Sequence, residues 1–480
     1  MKYLILLFIF AATPVLFASA NISSSDKKIM DYAFNFEFDK AEKLLAQNFK
    51  DNPENLKNHY LYINTEILKV IQATDAQPFR NKKAVKDSLH HILINYAEKV
   101  VEKYEDKKLS TDNKYYLGSI YGFLGRMHGV EGSWMPAFSN GKAGKNMLED
   151  IIEKDAQYAD AYLLLGIINY YADRLGGVVG FVAGVLGLSG DREVGIQYLK
   201  LAEQKGKLTS SQAAMLLVEL YSRLEDNNLT ALPYFEKLIK RHPKNSHFIN
   251  WYCRELMELN ELDKVTELIK NDSLNLIVPD VKARYYSLTG EYEKSNKLLN
   301  ELLKTEGTLF PFMEEHYKFV RVLNYFMLGN INEANKYKKN LEPEQKKYID
   351  YFILSPEPAK KLIKFREFIG FSKNKNEIEA FIKNPGDIGK SNYLKGYFNF
   401  CTAVYYFQNG KIKEAESYFL KAKEAHPEGF LHSTAPYLIY IYKNTKVSDE
   451  KVENLLDDID DFDNDGLSFS AEDLKIKYDL

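Results

Sequence analysis

Apolar residues recur at spacings of three and four along almost the whole chain, and strict alternation of apolar and polar residues is rare. In the stretch from Lys83 to Tyr104, a helix would bring one set of apolar side chains to a single face. That set is Val85, Leu89, Ile92, Leu93, Tyr96, Val100 and Val101. Segments of Gly, Asn, Asp and Pro interrupt the pattern roughly every 12 to 20 residues, which predicts a succession of helical hairpins.

The hairpins repeat, most clearly between Gly396 and Pro427. Small residues let two helices approach closely, and an aromatic side chain fills the space beside them. The residues at these positions are Tyr397, Ala403 and Tyr406 in the first helix, Asn409 and Gly410 in the turn, and Ala415, Phe419 and Ala422 in the second helix. This order of small, aromatic, small and proline positions resembles the tetratricopeptide repeat.

Weaker copies of the unit cover most of residues 26–445. They are marked by Ala41, Leu45 and Pro53; Leu117 and Gly118; Leu165 and Gly166; Ala231, Phe235, Leu238 and Pro243; Cys253; Gly290, Ser295 and Leu299; and Gly329 and Ala334. The resemblance implies an all-α fold, a right-handed superhelical solenoid of about ten antiparallel helix pairs over residues 21–445. Residues 341–390 fit the repeat poorly, and their helix pairing stays open.

An uncharged, glycine-rich insert at about residues 175–190 interrupts the array. Apolar surface of this kind is usually covered, which favours a flap or short helix buried against the repeats. The alternative is a hydrophobic lip for a ligand, or a loop that touches a membrane.

The N-terminus has the features of a cleaved signal peptide over residues 1–20. Lys2 precedes an apolar stretch from Leu4 to Phe17, and Ala18-Ser19-Ala20 supplies small residues for cleavage. The stretch is shorter than the about 20 residues that span a bilayer. We therefore expect an exported protein of the periplasm, cell envelope or extracellular space, without a transmembrane span in the mature chain and with possible envelope association.

The composition narrows the function further. The formal net charge is −3, which gives no indication of nucleic-acid binding. Two cysteines cannot build a disulfide framework, so packed apolar side chains must hold the fold. The charge is uneven, because residues 449–480 contain twelve acidic residues and three lysines.

No enzyme motif is present in the sequence. His90 and His91 would point to different sides of a helix, and Gly-x-Ser-x-Gly, His-Glu-x-x-His and Cys-x-x-Cys patterns do not occur. The turn Gly386-Asp387-Ile388-Gly389-Lys390-Ser391 ends like a phosphate-binding loop, but Asn384 stands where that loop needs glycine. It is better explained as a turn between helices, and we predict a non-catalytic protein.

Residues 126–145 combine charges, one tryptophan and several glycines. Glycine lets the backbone approach a neighbour closely, and a Trp among charged residues is a common contact residue. The candidate ligand-binding residues are Arg126, His128, Glu131, Trp134, Lys142 and Lys145. The simpler interpretation, which we favour, is a glycine-rich hairpin with Trp134 in its core.

Residues 461–472 satisfy the pattern of an EF-hand calcium loop, within an acidic element at 446–480. Asp461, Asp463, Asp465 and Glu472 would supply side-chain oxygens and Leu467 a backbone carbonyl for Ca²⁺. Val452, Leu455, Leu456 and Ile459 would form the apolar face of an entering helix. Ser468 and Phe469 depart from the usual pattern, and the alternative is a solvated acidic tail.

Tetratricopeptide arrays mostly act as protein-binding scaffolds, so the resemblance implies a peptide or protein partner held in a concave groove. The alternative is a small-molecule or glycan-binding protein of the cell envelope, with the apolar insert and the Trp134 segment as its features. The sequence does not identify the partner, the oligomeric state or the compartment beyond export.

Overall fold

The computed structural model describes residues 22–174, 184, 190–225, 228–371, 374–445 and 449–462. Within these residues the chain forms α-helices, one 3₁₀ turn and one π turn, and no β-strand. The prediction of an all-α fold built from helix pairs is therefore confirmed. The predicted signal peptide, most of the apolar insert and residues 463–480 lie outside the described part of the chain.

The described residues form two compact units. Unit 1 consists of the described residues up to 33, residues 37–67 and the described residues of 90–213. Unit 2 consists of residues 34–36, residues 68–89 and the described residues from 214 onwards. Four of the described helices contain residues of both units: Ser24–Phe34, Leu56–Asp75, Phe79–Tyr104 and Ser210–Glu219.

The helices up to residue 205 are mostly long. In chain order they are Ser24–Phe34, Phe38–Asp51, Leu56–Asp75, Phe79–Tyr104, Thr111–Val130, Trp134–Lys154, Tyr162–Asp173 and Arg192–Lys205, with a 3₁₀ turn at Ala159–Ala161. In unit 1, the helices Thr111–Val130 and Trp134–Lys154 pack as an antiparallel hairpin. They approach closely where Gly118 faces Gly144 and where Gly125 faces Gly141.

The remaining helices lie wholly or largely in unit 2. They are Ser210–Glu219, Asn228–Arg241, Ser246–Glu258, Leu262–Lys270, Pro279–Leu288, Tyr292–Leu302, Pro311–Met327, Ile331–Lys338, Pro343–Leu354, Pro356–Phe371, Lys375–Lys383, Asn392–Gln408, Ile412–Ala425, Pro427–Thr445 and Asp449–Phe462, with a π turn at Leu220–Leu224.

The predicted positions of the clearest repeat are confirmed. Ala403 in the first helix is fully buried, and so are Ala415, Phe419 and Ala422 in the second. The turn between them ends in Gly410 with φ +69°, a left-handed conformation that glycine adopts at low cost.

The weaker copies follow the same rule. Their small and apolar positions are at most 3% exposed: Ala41, Leu45, Ala231, Phe235, Leu238, Cys253, Ser295, Leu299 and Ala334. Gly290 and Gly329 also end helices with positive φ, at +77° and +74°. Cys253 is thus a packing residue, and burial raises the pKa of its thiol to about 12.

The sequence pattern did not settle two points. It placed Ile92 with the apolar residues of one helical face, but Ile92 is 63% exposed, whereas Ile94 is buried. Residues 341–390 form the helices Pro343–Leu354, Pro356–Phe371 and Lys375–Lys383, which share one apolar core. The loop after them is an ordinary turn between helices, as predicted.

Candidate functional site

Unit 2 contains a cavity of 470 Å³. Its lining comes from helices that are far apart in sequence, beginning at residues 228, 246, 356, 392 and 427. The apolar lining residues are Leu259, Ile369, Phe400, Val404, Phe407, Pro436, Tyr437 and Tyr440, and the others are Asn228, Glu258, Asn260, Arg366, Cys401, His432 and Ser433.

The turn after the helix Ser246–Glu258 brings the distant parts of this lining together. The Asn260 side-chain amide donates to the Arg366 carbonyl at 3.4 Å, and the Gln408 amide donates to the Leu259 carbonyl. A Cβ on Gly370 would lie 2.7 Å from the end of the Leu262 side chain, which would then have to shift, so this turn packs closely against the helix Pro356–Phe371. Asn260 itself has φ +58°, a conformation that asparagine tolerates better than most residues.

One lining residue, Glu258, forms an ion pair with Arg284, which is not itself part of the lining. An Arg284 terminal nitrogen is 2.8 Å from a Glu258 carboxylate oxygen, and the Glu258 side chain is 57% exposed. Burial opposes ionisation of Glu258, but the charge and hydrogen bond of Arg284, with smaller effects of His316 and Arg366, lower its pKa overall. Solvent thus reaches the Glu258 side chain although protein surrounds it, as is typical of a residue in a recess.

His316 belongs to the same electrostatic group. The surrounding protein and then the Arg284 charge lower the pKa of His316 to about 4, although Glu258 acts in the opposite direction and the residue keeps an exposed surface. His316 is therefore neutral near pH 7. The charges that remain in the group are those of Glu258, Arg284 and Arg366, so one positive charge is in excess.

Arg366 carries that excess charge into the cavity wall. Burial disfavours its charged form, but the Tyr397 side chain, which accepts a hydrogen bond from it, and then Cys401 and Glu258 raise its pKa overall. Among the residues that the structure describes, no carboxylate lies within 4.0 Å of the Arg366 guanidinium. The cavity thus presents a cation to any occupant without a direct ion pair.

Aromatic rings form another part of the lining, and their mutual packing fixes their orientation. Phe407 packs edge-on against Tyr437 and Tyr440, with ring centroids 5.2 and 5.5 Å apart. Phe400 makes a similar edge contact with Tyr437 at 6.3 Å. Edge-to-face pairs of this kind hold rings in place, so the wall is pre-formed for an apolar side chain or ligand.

The glycine-rich segment 126–145 is a helical hairpin, as favoured, but Trp134 is not in its core. Trp134 is 41% exposed at the tip of the hairpin, next to Val130 and Met135, which are 58% and 65% exposed. The glycines serve the helix contact itself, because a Cβ on Gly144 would lie 2.6 Å from the Gly118 carbonyl oxygen.

The six candidate residues of this segment do not converge on a described cavity. Arg126, Glu131 and Lys142 are exposed. His128 lies 3.5 Å from Glu98, and Lys145 lies 3.5 Å from Glu149. The cavity of unit 2, by contrast, could not be found from the sequence, since its lining residues occupy ordinary repeat positions.

Of the predicted calcium ligands, Asp463, Asp465, Leu467 and Glu472 lie outside the described residues. Asp461 falls in the last turn of the helix Asp449–Phe462. The predicted apolar face of this helix is at most 3% exposed and packs against the helix Pro427–Thr445; it consists of Val452, Leu455, Leu456 and Ile459. None of the described helices is long and apolar enough to cross a membrane.

These features define an all-α protein of successive antiparallel helix pairs, with a polar and aromatic cavity in its larger unit. No protein-family model and no curated protein matches the sequence. Among solved structures, the TPR domain of P58(IPK) aligns with 81% of this chain and 98% of its own length, at 15% sequence identity and a TM-score of 0.21. At that TM-score the alignment adds nothing to the fold assignment, which rests on the helix pairs.

Proposed function

We propose that the chain is an exported, non-catalytic protein-interaction scaffold of tetratricopeptide type. In this proposal the cavity of unit 2 receives part of a partner peptide or protein. The supporting observation is the cavity lining, which combines rigid aromatic rings with the Arg366 cation. Aromatic and arginine side chains in desolvated recesses are the groups that contribute most to protein interfaces.

The chemistry of the lining indicates what the partner would offer. An apolar side chain would pack against the aromatic wall formed by Phe407 and Tyr437, and an acidic group beside it would pair with Arg366. Glu258 is already neutralised by Arg284 at 2.8 Å, so it would not repel that acidic group strongly. A partner segment with an apolar anchor next to an acidic residue therefore matches the cavity.

The C-terminal loop adds a calcium site to the proposal. Asp461, Asp463, Asp465 and Glu472, with the Leu467 carbonyl, match the oxygen ligands and the spacing that Ca²⁺ prefers. Export supports this assignment, because extracellular modules fill sites with Kd of about 10⁻⁴ to 10⁻³ M where calcium is millimolar.

A second candidate function is the binding of a small molecule or glycan. Cavities that bind small ligands have volumes of about 300–1,000 Å³, and the cavity of unit 2 has 470 Å³. A peptide occupant would extend beyond the cavity, whereas a small molecule would be contained within it.

A peptide-display selection on the immobilised mature protein tests the scaffold function. Selected peptides are measured by calorimetry against the parent protein, Phe407→Ala and Arg366→Met. Phe312→Ala is the matched control, since Phe312 is 65% exposed in the same unit and does not line the cavity. We expect at least tenfold weaker binding in both cavity variants and no change in the control. Peptides that bind all four proteins equally would contradict the assignment of the cavity.

A further inference from the structure

Arg321, in the helix Pro311–Met327, is the most buried arginine described in unit 2. Only 8% of its surface is exposed. Arginine stays ionised under all ordinary conditions, so its burial places a full positive charge out of contact with water. Such burial is strongly unfavourable unless a paired charge and hydrogen bonds compensate it.

The protein supplies little compensation at this position. The guanidinium carbon lies 4.0 Å from the centroid of the Tyr337 ring, which stacks on the Tyr325 ring at 5.6 Å. Nε of Arg321 is buried and has no hydrogen-bond partner. No carboxylate of the described residues lies within 4.0 Å of the guanidinium. Burial lowers the pKa of Arg321 and the tyrosines only partly offset this effect.

Two other arginines of unit 2 each have a carboxylate partner. Arg254 lies 2.7 Å from Asp280, and Arg284 lies 2.8 Å from Glu258. Both of these are more exposed than Arg321, with side chains 35% and 17% open to solvent. Of these three arginines, the one with the least access to water is therefore the one that lacks a carboxylate.

The polar groups nearby are neutral and satisfy one another. The Asn324 amide donates to the Ser295 hydroxyl at 2.9 Å and to the Asn296 carbonyl oxygen at 3.0 Å, and the Ser287 hydroxyl donates to Asn324. Asn296 reaches only the backbone carbonyl of Arg321, at 3.5 Å. This network stabilises the helix contact but contributes no negative charge.

We propose that Arg321 is the anchor of an oxyanion-binding site, which takes one carboxylate or phosphate group at the exposed edge of the guanidinium. The planar fork of the guanidinium matches two oxygens of either group, and Tyr337 covers its face. The small exposed area admits a terminal oxyanion and not an extended surface. None of the residues around Arg321 lines the cavity described above, so this site is separate from the proposed partner site.

The test uses the full mature chain with inorganic phosphate, acetate and chloride at matched ionic strength. Binding is measured by calorimetry for the parent protein, Arg321→Met and Lys294→Met. Lys294 is the control because it is a nearby, 64% exposed cation that lies over a tyrosine ring, so its loss changes the net charge equally. We expect saturable binding of phosphate or acetate, weakened at least tenfold by Arg321→Met and less than twofold by Lys294→Met.

The preferred anion then identifies the source, since phosphate binding indicates a phosphorylated ligand and acetate binding a carboxylic acid. Without added anion, Arg321→Met should be at least as stable as the parent, because an apolar side chain replaces an uncompensated charge. Absence of saturable binding, or equal affinity in the Met variant, would overturn the proposal. A clear loss of stability in Arg321→Met would do so too, since Arg321 would then be a structural residue.

Discussion

The hairpin of Thr111–Val130 and Trp134–Lys154 allows a test in which two identical substitutions have opposite effects. A Cβ on Gly144 would lie 2.6 Å from the Gly118 carbonyl oxygen and 3.1 Å from the Gly122 nitrogen. Both are backbone atoms, so the helices themselves must separate. A Cβ on Gly129 would meet only the Ala137 Cβ, at 3.9 Å, which is an ordinary contact.

The magnitudes follow from these distances. Contacts below 3.0 Å do not occur for real Cβ atoms, so Gly144→Ala pushes the helices apart by about 0.4 Å and loses part of the dispersion energy along the contact. Overpacking of this kind costs about 1–3 kcal/mol, against a gain of up to about 1 kcal/mol in helix propensity. We expect a net loss of about 0.5–2 kcal/mol for Gly144→Ala and a gain of about 0.3–1 kcal/mol for Gly129→Ala.

Guanidinium denaturation followed by circular dichroism gives the free energies of unfolding for both variants. Hydrogen exchange over residues 111–154 shows whether the change is local to the hairpin, as expected in a repeat array. A neutral or stabilising Gly144→Ala would show that the two helices do not approach as described. A destabilising Gly129→Ala would show that the end of the first helix contacts something else.

Four further results are expected. Ala415→Leu should lower the free energy of unfolding by about 1–3 kcal/mol, because Ala415 is fully buried at a helix contact. Burial lowers the pKa of His242 from 6.5 to about 3, so as the pH falls below 6.5 only the unfolded state gains this proton. The resulting loss, about 1.4 kcal/mol per pH unit between pH 6 and 4, should be absent from denaturation curves of His242→Gln. Calorimetry at about 5 mM calcium should show one site that Asp461→Ala abolishes. N-terminal sequencing of the native protein should begin at Asn21, and an intact Met1 would contradict export.

The repeat was predictable because its signal is local. A second helix can approach the first only where side chains are small, and so Ala403, Ala415 and Ala422 appear in the sequence at fixed offsets from the turn glycine. The same constraint acts on each hairpin separately. The weak copies therefore have small and apolar residues at the same offsets, and these residues are buried in the structure.

The cavity was not predictable, because its lining is assembled from separate helices, which begin at residues 228, 246, 356, 392 and 427. Nothing in the local pattern relates Leu259 to Arg366 or Tyr437, which occupy unremarked positions on their own helices. The prediction that Trp134 lies in the core of its hairpin was wrong for a related reason. Glycines indicate that something comes close, but not whether it is a ligand or the neighbouring helix, and here Gly144 meets Gly118.

Arg321 and Arg366 have no carboxylate within 4.0 Å among the described residues, and they relate stability to function in this fold. Helix pairing needs small and apolar residues at the contacts and has no requirement for Arg321 or Arg366. Burial lowers the pKa of Arg321, whereas the Tyr397 side chain, Cys401 and Glu258 raise the pKa of Arg366, so only the charge of Arg321 is uncompensated in the free protein. Replacement of Arg321 by an apolar side chain of similar length is therefore expected to be neutral or stabilising. Residues that cost stability in the free protein are typical of binding sites, where the ligand supplies the missing partner. If Arg321→Met leaves the free protein as stable as the parent and weakens anion binding, Arg321 is a binding group; if the variant unfolds more easily, Arg321 is part of the scaffold.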